Sequence, residues 1–173
     1  MCGIFSLYDS EENFSDAEIK KNANKCQIRG PDKTKFLKIN NNLTMIFHRL
    51  RINDLSLEGD QPMSHPEDED IILICNGEIY NVNKLCEDYR FNPKSKSDCE
   101  VILHLYKKFG IEKTVDVLDG VFAFVIVDLK KNKDIDFNTL AYRSAKKIWW
   151  KCKKEGHTFQ ATCHHRTRGR GCP

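Results

Sequence analysis

No apolar run in these 173 residues approaches the roughly 20 consecutive positions that a membrane-spanning helix needs. The polar N-terminus lacks the shape of a secretory signal peptide, and no glycine-rich, phosphate-cradling loop occurs along the chain. These absences exclude a helical membrane span and a phosphate-loop nucleotide site. They set the expectation of a cytoplasmic protein without membrane contact. What is present is a charged and moderately apolar sequence, 31% charged and 40% hydrophobic, which has enough apolar material to bury a core.

The net charge of +3 hides an asymmetry. From Arg143 onward nine basic residues face the single Glu155, a net +8 that leaves −5 for everything before it. The expected organisation is one domain over residues 2–130, a linker over 131–142 and a basic tail rich in Cys and His over 143–173. Eight cysteines would be dense for a cytosolic protein if all were bridged. Their placement argues for reduced thiols in the body and metal ligands at the end, because Cys152, Cys163 and Cys172 crowd the tail.

Residues 3–8 read as a short buried strand. Ser15 with Glu18 three residues later forms a capping box for a helix reaching about Cys26. Two β-rich runs, 34–39 and 43–50, flank Asn40-Asn41-Asn42, which suits a tight hairpin turn. Residues 53–69 are polar and predict a surface loop, followed by a strand over 71–75 and a short helix over 82–89. Ser97 and Glu100 read as a second capping box, opening a helix whose apolar face ends at Gly110. A further helix over 111–118 leads into the apolar run 121–127, expected as a strand buried on both sides. Strands in hairpins with helices in separate runs indicate an α+β fold.

Two runs carry chemistry. In Met1-Cys2-Gly3-Ile4-Phe5, loss of the initiator methionine would place a thiol and a free α-amine on one residue, a nucleophile carrying its own base. The amine, with an ordinary pKa of roughly 7.7 to 8.0, suits that task near neutrality. Asn76-Gly77-Glu78-Ile79-Tyr80-Asn81 follows an apolar strand, so that an amide side chain and an unhindered backbone N–H can aim at one developing oxyanion. Asn-Gly is equally the commonest hairpin dipeptide. Arg49 suits a bidentate grip on a carboxylate or a plain salt bridge, and Asp98 suits an ammonium or a helix N-terminus.

With Arg29-Gly30-Pro31-Asp32, Phe47-His48-Arg49-Leu50, Gly59-Asp60-Gln61-Pro62-Met63, Ser97-Asp98-Cys99-Glu100-Val101 and Gly120-Val121-Phe122-Ala123-Phe124, these runs resemble the class II glutamine amidotransferases, most closely the glutamine-hydrolysing half of asparagine synthetase. The resemblance implies a four-layer αββα sandwich of the N-terminal-nucleophile hydrolase type. It also implies hydrolysis of L-glutamine to glutamate and ammonia without a cofactor. It assigns Cys2 as nucleophile and Asn76 and Gly77 as oxyanion hole. Arg49 falls to the substrate carboxylate, Glu78 and Asp98 to its ammonium, and Leu50 and Ile52 to backbone contacts. Arg29 to Asp32 and Gln61-Pro62 are expected to be scaffolding, and His48 is not required as a base because the amine of Cys2 fills that position.

The resemblance ends after Val127-Asp128, so the sandwich is expected to be incomplete at its C-terminal side, with sheet edges uncovered. The synthetase half is not found, and asparagine synthesis would need an ammonia-accepting domain supplied in trans. The tail, through Trp149-Trp150-Lys151-Cys152, Gly156-His157-Thr158-Phe159 and Gly169-Arg170-Gly171-Cys172-Pro173, resembles a short zinc-ribbon-like module. That resemblance implies zinc ligands Cys152, His157 and Cys172; Cys163, His164 or His165 could substitute geometrically for the fourth, at a spacing that is not the family's. The basic charge around it suits weak, non-specific nucleic-acid contact. The alternative to an enzyme is a catalytically inactive truncated or fused remnant whose tail binds metal or nucleic acid.

Overall fold

The computed structural model describes residues 2–9, 11–131, 147–151 and 158–162. It divides into two compact units, Met1–Lys130 and Lys131–Pro173.

The first unit is built from two antiparallel sheets. Strands β1 (Gly3–Tyr8), β2 (Lys33–Lys38) and β3 (Leu43–Arg49) form one, in the order β1-β3-β2. Strands β4 (Met63–His65), β5 (Asp68–Ile79) and β6 (Gly120–Asp128) form the other, in the order β4-β5-β6. Successive side chains of a strand point to opposite faces, and this period of two sorts the core into layers. On β3, Met45 and Phe47 point inward and meet Ile72 and Ile74 of β5, with Cys2, Ile4 and Val125 alongside. The intervening Ile46 points the other way, against Ile19 and Ala23 of helix α1 (Asp16–Ala23). On β5, Ile71, Leu73, Cys75 and Ile79 turn outward to Leu85 of α2 (Val82–Tyr89) and Val101, Ile102 and Leu105 of α3 (Glu100–Val117). The order of layers is helix, sheet, sheet, helices, a mixed α+β architecture with two facing sheets, as expected.

Several local expectations hold. The Ser15–Glu18 capping box is present, α2 spans its expected residues, and Gly110 breaks α3 with φ 77°, a left-handed value that glycine adopts without a Cβ clash. Others are corrected. Helix α1 stops at Ala23 and continues as a 3-10 turn, Asn24–Arg29, instead of running helically to Cys26. Residues 53–69 are not simply a surface loop: they contain β4, and Asp54, Gln61, Met63 and His65 are buried. Their polar groups go inward because buried backbone and guanidinium donors there need acceptors. The second capping box does not form, since α3 is capped at Cys99 and the Glu100 carboxylate instead accepts from Lys94 N–H, Ser95 N–H and Ser95 Oγ–H. Strand β5 does not end at Cys75; pairing with β6 carries it to Ile79, with Asn76 opposite Ala123 and Gly77 opposite Phe122. Strand β6 is the outer strand of its sheet among the described residues, and its start is open, with Val121 65% exposed, contrary to burial on both sides.

In the second unit β7 (Lys147–Lys151) pairs antiparallel with β8 (Thr158–Thr162). Cys152, His157 and Cys172, with Cys163, His164 and His165, lie outside the described residues. Among the described residues no helix is long and apolar enough to cross a membrane.

Candidate active site

The alternation that builds the inter-sheet core also builds the site. Cys2, just ahead of β1, and Ile4 on it are inward rungs, and on β3 Met45 and Phe47 are followed by Arg49. On β5 Ile72 and Ile74 are followed by Asn76 and Glu78. At one end of the sandwich the apolar rungs give way to a thiol, a guanidinium, an amide and a carboxylate. They line a cavity of about 400 Å³ together with Leu50, Ile52, Gly77, Tyr80 and Asp98. All eight residues singled out in the first unit from the sequence therefore border one pocket.

The Cys2 sulfur is held by the chain entering that pocket. Leu50 N–H donates to Sγ at 3.3 Å, and the thiol lies 3.6 Å from Leu50 O, to which it donates. The expected backbone contacts of Leu50 are thus occupied by the cysteine itself. Arg29 Nε–H donates to Cys2 O at 3.2 Å and Asp32 Oδ2 accepts from Arg51 N–H at 2.8 Å, so this segment steadies the surroundings of Cys2 without entering the pocket. His48 is fully buried on the opposite face of β3, where Nδ1 meets Thr34 Oγ1 at 2.8 Å and Nε2 meets Ala23 O at 3.0 Å. It is a packing residue turned away from Cys2.

On the facing sheet, Gln61 Oε1 accepts from Cys75 N–H at 2.5 Å, holding β5 one residue before Asn76 and beyond the last β4 pair, Met63 with Leu73. Asn76 Oδ1 is buried without a hydrogen-bond partner among the described residues. An orphaned buried amide end is a group that an incoming ligand can satisfy. Gly77 is required by close approach: a Cβ there would lie 2.5 Å from Phe122 Cα and 2.5 Å from Val121 O. Asp98 Oδ2 accepts from Ile79 N–H at 2.6 Å, and Glu78 is exposed at the pocket mouth. Ile52, also lining the pocket, is 64% exposed.

Arg49 is neither a surface salt bridge nor a free fork. Its guanidinium is buried, and Nη1 donates to Ser56 O at 2.6 Å and to Asp60 Oδ1 at 2.5 Å, while Nη2 donates to Asp54 O. Asp60 also pairs with Lys33. Burial works against the Asp60 charge, but the hydrogen bonds and charges of Lys33 and Arg49 outweigh it and hold the carboxyl below its ordinary pKa. Of the five guanidinium N–H donors, three are used, which leaves Nε–H and one Nη2–H for a ligand.

Sequence reasoning missed the framework formed by Asp54, Ser56 and Asp60. Asp60 stands in one of the runs that carry the resemblance, but nothing in the stretch after Arg49, with Asp54, Glu58 and Asp60, marks which acidic side chains turn inward. It also passed over Cys99 as a pocket residue. The Cys99 thiol is pushed up in pKa, first by its hydrogen bond with Cys75 and then by burial, so it remains a protonated thiol and does not compete as a nucleophile.

A cysteine leading into the first strand of a two-sheet sandwich, with helices on both outer faces and a polar cleft at one end, is consistent with the α+β fold of the N-terminal-nucleophile hydrolases. Residues 1–136 match the family described as "Glutamine amidotransferase domain", and the chain belongs to that family. Residues 127–173 match a family described as "Probable Treble clef zinc finger domain". Among curated proteins, the chain is 43% identical over 135 residues to asparagine synthetase (glutamine-hydrolysing) of Bos taurus, covering 77% of this chain and 24% of that protein. The corresponding proteins of Homo sapiens and Gallus gallus are each 42% identical over the same length and shares. The chain therefore spans about a quarter of the length of the curated relatives it matches.

Proposed function

We propose that the first unit hydrolyses L-glutamine to glutamate and ammonia, with Cys2 as nucleophile, as the glutaminase part of an asparagine-synthetase-like amidotransferase. The observation that carries this reading is the convergence of Cys2, Arg49, Asn76, Gly77, Glu78 and Asp98 on one cavity, with the sulfur already accepting a backbone N–H. After removal of Met1, the α-amine of Cys2 takes the thiol proton as sulfur attacks the side-chain amide carbon. The carbonyl oxygen gains the charge and is met by Asn76 and the Gly77 N–H. The C–N bond then breaks, the amine returns its proton to the leaving nitrogen, and ammonia departs from a thioester. Water attacks that thioester, its proton going back through the amine, and glutamate is released as the thiol re-forms. The unused Nε–H and Nη2–H of Arg49 hold the substrate carboxylate, and Asp98 with Glu78 hold its ammonium.

The test is ammonia release from glutamine by the purified chain, with mass spectrometry to establish that Met1 is gone. Release that depends on Cys2 supports the reading, and release unchanged in Cys2→Ala overturns it. The ammonia acceptor would be a synthetase domain supplied in trans.

For residues 143–173 we propose zinc binding, supported by the family match of that segment and by the donor chemistry of Cys152, His157 and Cys172. Cys163, His164 and His165 provide further donors for a closed four-ligand site. About one zinc per chain, lost in Cys152→Ser, is the expected result of metal analysis; zinc well below that level in the unmodified chain removes the reading.

A further inference from the structure

The two arms that would grip the amino-acid backbone of a substrate come from different places. Arg49 ends β3, and Asp98 lies in the segment between α2 and α3. No side chain assigned a role above joins them, yet one buried residue does. Asp54 is 5% exposed and lines the same cavity. Its carbonyl accepts from Arg49 Nη2, and its carboxylate is shared between two segments. Oδ1 accepts from Ser56 N–H at 2.7 Å and Ser56 Oγ–H at 2.6 Å, while Oδ2 accepts from Lys96 N–H at 2.8 Å. Ser56 in turn gives its own carbonyl to Arg49 Nη1, closing a ring around the guanidinium.

The Lys96 end is equally constrained. Residues 94 and 95 donate backbone N–H groups to the Glu100 carboxylate at 2.8 and 2.7 Å, and Asp98 Oδ2 caps Ile79 N–H. Lys96 lies between these two anchors, and its N–H goes to Asp54. Burial opposes the charge on Asp54, but hydrogen bonds from Ser56 and Lys96 and the nearby Arg49 cation hold its carboxyl below the ordinary range. It stays an anion and accepts from both sides at once.

We propose that Asp54 is a positioning residue that sets the separation between the carboxylate-binding Arg49 and the ammonium-binding Asp98, and so tunes the site to the span of an α-amino acid. This rests on the functional reading above. It does not place Asp54 on the substrate. Arg49 is set by the end of its strand and Asp98 by its bond to Ile79 N–H, and Asp54 is the strut between them. A ligand using both arms depends on the strut, whereas one using only Arg49 does not.

That difference makes the test. Asp54→Asn keeps the shape of the side chain and its carbonyl contact to Arg49, but turns one acceptor into a donor facing an N–H. KM and kcat for L-glutamine are measured beside the competitive inhibition constant of 4-carbamoylbutanoate, which is glutamine without its α-ammonium. The expected result is a KM for glutamine raised about tenfold, the scale of losing one hydrogen bond to a charged group, with kcat changed less than about threefold and the inhibition constant nearly unmoved. Loosening of the whole fold would raise both constants together; that outcome, or an unchanged KM, overturns the proposal. Lys96→Pro deletes the same hydrogen bond from the other side by removing its N–H, and decides the matter if Asp54→Asn does not fold by circular dichroism. If the unsubstituted, Met1-free chain releases no ammonia, the functional reading has failed instead, and binding of glutamine and of 4-carbamoylbutanoate to the two proteins, measured by calorimetry, carries the same comparison.

Discussion

The backbone N–H of Leu50 points at the sulfur of Cys2 across 3.3 Å, although the two residues are 48 positions apart in sequence. That contact fixes where the sulfur sits at the edge of the pocket. Replacing Cys2 with serine keeps a nucleophilic atom but shortens the reach from Cβ and raises the cost of deprotonation. Turnover of glutamine in Cys2→Ser should fall steeply, read as the initial rate of ammonia release. Cys2→Ala should leave nothing measurable above the buffer rate.

Arg49→Lys tests the proposed double duty of the guanidinium. A single ammonium cannot serve Ser56 O, Asp60 and Asp54 O and still offer two parallel donors to a carboxylate. KM for glutamine should rise at least about tenfold. The variant should also lose stability by about 1–3 kcal/mol, since the carbonyls of Ser56 and Asp54 are left short of a donor. Steady-state kinetics and denaturant unfolding measure the two effects separately.

Gly77→Ala places a methyl group where β6 leaves no room, against the backbone of Val121 and Phe122. The neighbouring atoms are main chain and cannot rotate away, so the register of β5 and β6 must shift. Stability should drop by about 1–3 kcal/mol, and glutamine hydrolysis should fall with it because the same shift moves Asn76. A thermal melt paired with the ammonia assay checks both.

The reading of the fold from sequence went furthest where one interaction decided the outcome locally. The Ser15–Glu18 box needs only four residues, and the Gly110 break needs only one. It failed where a distant partner decided. Asn76-Gly77 carries the letters of a turn, and only the pairing with Ala123 and Phe122 makes it strand. Glu100 has the right spacing for a capping box with Ser97, but the fold delivers Lys94 and Ser95 to its carboxylate instead. The residues that line the pocket were legible as a set because they stand in short runs. The ring of Asp54, Ser56 and Asp60 around Arg49 was not, since a polar stretch gives no sign of which way its side chains turn.

Glu100 supplies the pH prediction. Burial alone would raise its pKa, but hydrogen bonds from His104, Ser95 and Lys94 bring it from the ordinary 4.5 down to about 2. A carboxyl whose folded pKa is depressed stabilises the fold fully above its unfolded pKa and loses that contribution as pH falls toward the folded one. The melting temperature should therefore decline between about pH 4.5 and about pH 2. Glu100→Gln should be less stable at neutral pH and flatter over that window, in melts recorded across an acid series.

The inward rungs Ile4, Phe47 and Ile74 and the rungs Cys2, Arg49 and Asn76 belong to the same rows of side chains. The reacting groups are continuous with the greasy seam between the sheets, like the open hem of a garment whose stitching lies deeper in. A change in packing deep in that seam would therefore shift the thiol, the guanidinium and the amide relative to one another.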